Sequence, residues 1–210
     1  MLVHFGFAKP EQVVRWAKLG GIVSANPYYV TALAGRYSQL GIGPERSANM
    51  VPLGDVVKSG MSFSFHSDMP MAPAKPLQLV WAGVNRTTAE GQVAGPDHRV
   101  TVDAALKAIT FDAAYSIRME GKVGSIAVGK DANLTVLEQS PYDVPPTQLK
   151  DIPVWGTMLE GRVQPAVSSS KNTPRKIAKN AKAVITKGDN AVSMAVITHM
   201  ANLLSHHHDE

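Results

Sequence analysis

Three short apolar runs in the first third of the chain each meet a residue able to bind a metal, move a proton or hold a substrate. Leu2–Phe7 contains His4, Gly21–Asn26 ends on Asn26, and Met61–Phe65 runs directly into His66-Ser67-Asp68. A carboxylate just past a buried strand suits two jobs: gripping a divalent ion, and taking a proton from water bound there. Asp68 is the leading candidate for both. It has a plainer reading as well, because Asp and Ser ahead of a proline-rich loop commonly cap a turn through the backbone. His4 reads either as a satisfied core histidine or as a neutral imidazole offered to a metal. His66 could be a second ligand, a substrate contact or an orienter of Asp68. It shares a side with Asp68 only if the strand pleat continues past Phe65.

The elements that must position these residues follow from the pattern. Leu2–Phe7 reads as a buried strand. Lys9-Pro10-Glu11 opens a helix with proline in the first turn, where a missing N–H costs nothing. Val13, Val14, Trp16 and Ala17 give it an apolar face, and Gly20-Gly21 stop it. Gly21–Asn26 is the next strand. Strand, helix, strand with short connections is the rhythm of a parallel α/β protein, whose chemistry collects at the C-terminal ends of the strands. Pro27–Ala48 reads as a long connection, too long for an ordinary loop and therefore a candidate lid. Val51–Ser59 reads as a helix ended by Gly60, and Met61–Phe65 as the third strand. Leu77–Val84 reads as helical. A further helix starts at the N-cap Thr101 and runs through Ala104–Tyr115, with Ala105, Ile109, Ala113 and Ile117 on one face.

From Gly121 the period changes. In Gly121–Glu138, GKVGSIAVGKDANLTVLE, glycines sit where a backbone must turn and branched residues where it must pair, which predicts a tight β-hairpin. Asp151–Pro165 predicts two more strands around Glu160-Gly161. After Ala166 the composition shifts to Ser, Lys and Asn, a linker followed by short segments at Ile177–Ile185 and Ala191–Leu204.

Composition removes several function classes. With 210 residues, 44% apolar and 18% charged, the chain is globular in character, and it is short for a complete (β/α)8 barrel of about 250 residues. The absence of cysteine excludes disulfides, thiolate zinc sites and a cysteine nucleophile. No phosphate-binding loop, dinucleotide fingerprint or G-x-S-x-G elbow occurs. The net charge of +4 is concentrated in Val167–Gly188, which holds Lys171, Arg175, Lys176, Lys179, Lys182 and Lys187 and no acidic residue. That tail carries no aromatic side chain to stack on bases, so no nucleic-acid partner is expected. No membrane span is expected either. His98 reads as an exposed turn residue. His199 and the terminal cluster His206–His208 read as uninvolved or as adventitious metal binders.

Taken together, four ordered stretches resemble the C-terminal half of the amidohydrolase superfamily, specifically its YtcJ-like, amidohydrolase 3 group. LVHFGFAKPEQVVRWAKLG is similar to the family's strand six and its helix. GIVSANPYYV, with Gly43-Pro-Glu-Arg46 beyond it, is similar to strand seven and a lid, and GMSFSFHSDMPMAP to strand eight with its G-S-D-x-P text. GKVGSIAVGKDANLTVLE and the strands after it are similar to the closing β-sandwich. The resemblance implies an α/β fold: the C-terminal part of a TIM-type barrel in 1–120 and strands of a small composite β-sandwich in 121–166; the tail 167–210 matches nothing in the family and, by its composition, reads as basic and partly disordered. The resemblance also implies a divalent metal, zinc by expectation, held by His4 and Asp68, with Asp68 as general base in hydrolysis of a carbon–nitrogen bond outside a peptide. It implies a small amide-like substrate, with His66, Asn26, Tyr28, Tyr29 and Arg46 contributing from the substrate side or the lid.

The chain departs from that pattern where the family's H-x-H pair, bridging residue and strand-five histidine would precede Met1, and where His66 replaces a usual glycine. The expected partner is therefore the missing N-terminal half or a second copy. The alternative reading is a non-catalytic remnant that acts at most as a structural or binding piece. The expected compartment stays open between cytoplasm and, with a signal peptide upstream, periplasm.

Overall fold

The computed structural model describes residues 1–166. Its first part alternates strands and helices: β1 (Leu2–His4), α1 (Pro10–Lys18), β2 (Val23–Ala25), α2 (Tyr28–Leu40), α3 (Pro44–Ala48), α4 (Leu53–Lys58) and β3 (Phe63–Phe65). The three strands form a parallel sheet in the order β1-β2-β3, with Val3 opposite Ser24 and Ser24 opposite Ser64. Parallel neighbours joined by helical crossovers bring all three C-terminal ends to one edge.

β2 and β3 are buried along their whole length, as central strands of parallel sheets are. β1 is not the buried strand the sequence predicts. Leu2 is 39% and Val3 50% exposed, because β1 is paired only on its β2 side among the described residues, and burial begins at Phe5. In α1, Gln12 Oε1 accepts the Lys9 N–H at 2.8 Å and Val13 points into the core, whereas Val14 faces outward, contrary to the expected apolar face.

Pro27–Ala48 is not an irregular connection. It folds into α2 and α3, with Val30 and Ala34 at i, i+4 spacing buried on one face. Next come α5 (Pro76–Asn85), a short 3-10 turn (Pro96–His98), α6 (Val102–Ala108) and α7 (Phe111–Ser116). Thr101 caps α6 as expected, its Oγ1 accepting the Ala104 N–H at 3.1 Å. The single helix expected through Tyr115 is broken instead at Thr110, whose hydroxyl donates to the Leu106 carbonyl at 2.8 Å while its backbone leaves the helical region.

The second sheet is antiparallel: β4 (Leu134–Leu137), β5 (Val154–Leu159) and β6 (Arg162–Pro165), in that order. The predicted hairpin inside Gly121–Glu138 does not form. Residues 121–133 are turns gathered around Lys130, whose ammonium donates to the Glu120 carbonyl and Ser125 Oγ and sits 5.5 Å from the Phe111 ring centre. Gly124 is required there: it has φ +88°, and a Cβ on it would stand 2.6 Å from the Ala114 Cβ. β4 pairs instead with the more distant β5, Thr135 facing Thr157. The turn at Glu160-Gly161 between β5 and β6 is as expected.

One cluster of buried apolar side chains holds the described chain together. It includes Val13, Val23, Val56, Phe63, Leu79 and Leu106 from the first part, with Leu137, Leu149 and Ile152 from around the second sheet. No helix among the described residues is long and apolar enough to cross a membrane. The basic segment 167–210, with its two expected short segments, His199 and His206–His208, lies outside the described residues.

Candidate functional site

The parallel sheet's C-terminal edge draws together residues that are up to 64 positions apart in sequence. His4 ends β1, Asn26 follows β2, and His66 and Asp68 follow β3. Backbone bonds lock these ends: Asn26 N–H donates to the His4 carbonyl at 3.1 Å and His66 N–H to the Ala25 carbonyl at 3.0 Å. His66 then reaches across β2. Its Nε2 accepts the His4 N–H at 3.2 Å, with the two rings 5.0 Å apart. The strand has ended at Phe65, so the pleat does not decide where His66 points; this hydrogen bond does.

His4 Nδ1 lies 3.6 Å from Asp68 Oδ2, and both side chains are about half exposed. Tyr29, in the first turn of α2, joins them. Its hydroxyl donates to Asp68 Oδ2 at 3.2 Å and lies 3.3 Å from His4 Nδ1. Burial, and behind it the Asp68 carboxylate, push the Tyr29 phenol above its ordinary value of 10.0, so it remains a neutral donor. Burial and the neighbouring His4 draw His66 below 6.5, which keeps the imidazole neutral and its Nε2 free to accept.

The backbone at this edge is strained. His4 (φ 68°), Phe5 (φ 51°) and Asp68 (φ 53°) all sit in the left-handed region, at roughly 1–2 kcal/mol for each L residue. Asp tolerates that region, and Phe does not. Conformations of this kind persist where the surroundings over-determine them, and they cluster at functional sites.

The pair fits a shared divalent cation. Two donors about 2.1 Å from one tetrahedral zinc stand roughly 3.4 Å apart, close to the observed Nδ1–Oδ2 separation of 3.6 Å. Among the described residues no third His, Cys, Asp or Glu completes a cluster around them.

The other expected site residues are dispersed. Asn26 is completely buried, and its amide is committed within the chain: Nδ2 donates to the Ser67 carbonyl at 3.1 Å, and Oδ1 accepts the Tyr28 N–H at 3.0 Å. It thus ties the segment bearing Asp68 to the start of the helix bearing Tyr29. Tyr28 is half-buried against the core. Arg46 is exposed on α3, and no hydrogen bond or ion pair joins it to His4, Asp68 or Tyr29. His98 is not an exposed turn residue. It is 6% exposed, with Nε2 3.0 Å from Asn49 Oδ1, because the 3-10 turn folds inward onto α4. Sequence reasoning also passed over Arg86, whose position near the end of an apolar helix gives no sign that it is fully buried.

The chain is similar to known proteins over most of its length. Residues 2–164 match the model of the amidohydrolase family. The chain is 30% identical over 160 residues to an N-substituted formamide deformylase of Arthrobacter pascens, which covers 76% of this chain and 30% of that enzyme. It is 26% identical over 170 residues to the putative amidohydrolase YtcJ of Bacillus subtilis, covering 77% of this chain and 31% of YtcJ. The chain thus spans about a third of the length of these relatives. Among solved structures, a metal-dependent hydrolase from Pyrococcus furiosus superposes with a TM-score of 0.50 at 25% identity, over 61% of this chain and 25% of that one. A zinc-bound adenosine deaminase from Xanthomonas campestris shares the fold at 17% identity with a TM-score of 0.55, over 77% of this chain and 36% of that one. Because most of this chain matches the family model, the chain belongs to the amidohydrolase family.

Proposed function

We propose that this chain is the C-terminal part of a metal-dependent hydrolase acting on carbon–nitrogen bonds outside peptides. The observation that carries the reading is the placement of His4 Nδ1 and Asp68 Oδ2 at 3.6 Å on the C-terminal edge of a parallel sheet, joined by the Tyr29 hydroxyl. In this reading 1–120 supply the last strands of a barrel, 121–166 supply strands of a composite sandwich, and 167–210 belong to neither. The remaining ligands come from further strands of the same polypeptide or from a second copy.

His4 and Asp68 would hold a divalent ion, zinc by the chemistry of an imidazole and a carboxylate, and that ion would supply an acidified water. The residues of this chain do the rest. Asp68 accepts a proton from the attacking water and returns it to the leaving nitrogen. Tyr29 fixes one Asp68 oxygen by its hydrogen bond, which leaves the other oxygen to face the substrate. His66 holds the backbone of His4, and Asn26 holds Ser67 next to Asp68. For an N-substituted formamide, the class named for the Arthrobacter relative, water adds to the formyl carbon, the C–N bond breaks, and formate and the amine leave.

The test is formate release from N-alkylformamides by the whole protein that carries this segment, saturated with zinc. Hydrolysis that falls by about a hundredfold or more in Asp68→Asn supports the reading. A protein that retains no metal after dialysis and hydrolyses neither formamides nor cyclic amides overturns it.

One observation favours a second reading, that of a non-catalytic remnant. Only two donors meet here among the described residues, whereas a catalytic zinc usually takes three protein ligands. Tight binding of one zinc equivalent by this chain alone, with hydrolysis that is lost in Asp68→Asn, would exclude the remnant.

A further inference from the structure

Arg86 is the largest fully buried side chain among the described residues, and it stands at the end of α5 in the left-handed region (φ 52°). Its guanidinium donates to four backbone carbonyls: Nε to Ala94 at 2.7 Å, Nη1 to Val51 at 3.0 Å, and Nη2 to Ala48 at 3.1 Å and Met50 at 2.7 Å. No ion pair among the described residues includes it; burial, and behind it the like charge of Arg99, draws Arg86 down to about 10. A buried cation is tolerated only where hydrogen bonds satisfy it, and here neutral carbonyls do so.

Three of the four carbonyls belong to the last residue of α3 and the turn that joins it to α4. That turn contains Val51 at φ 49°, a conformation a β-branched residue adopts only under constraint. The Val51 N–H donates to the Gly6 carbonyl at 2.8 Å. Gly6 directly follows His4 and Phe5, the two left-handed residues that turn the chain away from β1. An unbroken path therefore runs from the guanidinium to the turn carbonyls, from the Val51 N–H to Gly6, and on to the corner that aims His4. Gly95 flanks the guanidinium so closely that a Cβ there would stand 2.0 Å from the Ala48 oxygen and 3.2 Å from Nη2.

We propose that Arg86 is a positioning residue for His4, acting through the 48–51 turn. The proposal deepens the metal-site reading and rests on it for its importance, though not for its geometry. His4 ends a strand paired on one side only among the described residues; its own backbone is held by His66 and by the Asn26 N–H, and the 48–51 turn holds the chain just beyond it, at Gly6.

The experiment uses the 210-residue chain, labelled for NMR, in wild-type, Arg86→Lys, Arg86→Met and Gly95→Ala forms, first without metal and then titrated with Co²⁺. In Arg86→Lys and Gly95→Ala, exchange of the Val51 amide rises about tenfold or more relative to the Val23 amide of the central strand, as loss of one or two hydrogen bonds requires. The His4 imidazole resonances shift in the metal-free protein, and Co²⁺ affinity falls. Lys, which keeps the charge and part of the donor set, recovers more of the His4 signature than Met. If Arg86→Met does not fold, the Lys and Gly95 variants still decide. Equal acceleration of the Val51 and Val23 amides, or unchanged His4 resonances with Val51 deprotected, overturns the proposal. A wild-type chain that binds no Co²⁺ on its own leaves the metal reading to the whole-protein test above, while the exchange and imidazole data still decide the role of Arg86.

Discussion

The two sheets of this molecule have the same number of strands and put them to opposite uses. In the parallel sheet each strand is three residues long, the central and one flanking strand are wholly buried, and His4, His66 and Asp68 lie at or just beyond a strand end. In the antiparallel sheet the strands run four to six residues, exposed and half-buried positions dominate, and no cluster of metal-ligating groups gathers at its ends among the described residues. The difference follows from connectivity. Antiparallel strands can close with a short turn, as β5 and β6 do at Glu160-Gly161, so their ends can meet residues close in sequence. Parallel strands need a crossover, so their ends gather residues from distant segments. The parallel sheet places His4, Asn26 and Asp68 on one edge; the antiparallel sheet packs through Leu137 and leaves its outer face to solvent.

The largest effect that sharpens this contrast is on stability. Phe63 is 6% exposed in β3, and Phe63→Ala should cost about 3–5 kcal/mol from lost burial and the cavity left behind. Leu159, 53% exposed in β5, should cost no more than about 0.5 kcal/mol as Leu159→Ala. Urea unfolding of both variants measures the pair. Comparable losses would break the comparison and show that the outer face of the antiparallel sheet is covered by further protein.

Next in size is the tie at the parallel edge. Tyr29→Phe removes the hydroxyl between Asp68 and His4 while keeping the ring. Metal affinity should fall by about tenfold, as for other groups that orient metal ligands, with the urea midpoint almost unchanged. Calorimetric titration with Zn²⁺ checks the first, and a drop in stability without a drop in affinity would reassign Tyr29 to packing.

The contrast also decides what was legible in the sequence. Strand ends with His4, Asn26 and Asp68 could be read because buried parallel strands are short apolar runs with abrupt polar stops. The β5–β6 hairpin could be read because Glu160-Gly161 is local turn chemistry. What failed is what depends on partners far away in sequence. Gly121–Glu138 has the residues of a hairpin, yet β4 finds its partner in β5, and Lys130 organises the intervening turns by reaching the Glu120 carbonyl and the Phe111 ring. The exposure of β1 depends on which strands flank it, which Leu2 and Val3 do not encode. Burial of His98 and Arg86 is likewise set by the inward fold of 93–98 against 48–54, a packing without any periodic trace.

A smaller effect comes from the cap of α6. Thr101→Ala should remove about 1 kcal/mol through loss of the bond from the Ala104 N–H, and Thr101→Ser should restore most of it. Thermal melts of the two variants measure this, and equal losses would mean that the methyl group, not the hydroxyl, matters.

The smallest effects are in pH, and they divide the molecule along the same line. In the first part, burial and then Arg86 draw His98 below 6.5. Its folded form is neutral while the unfolded chain takes up a proton near 6.5. Its contribution is therefore whole above that pH and is lost as pH falls toward the folded value. Beside the second sheet, burial and Asp103 push the Tyr142 phenol up to about 12, and its hydroxyl donates to Asp103 Oδ1 at 3.1 Å. There the contribution is whole below pH 10 and is lost as pH rises toward 12. His98→Gln should flatten the acid limb of a stability profile and leave the alkaline limb alone, and Tyr142→Phe should do the reverse, each read from urea midpoints across pH. His66 adds to the acid limb with the same sign, so His98→Gln flattens that limb only in part. If either variant moved both limbs, the two regions would be electrostatically coupled through the shared core rather than titrating apart.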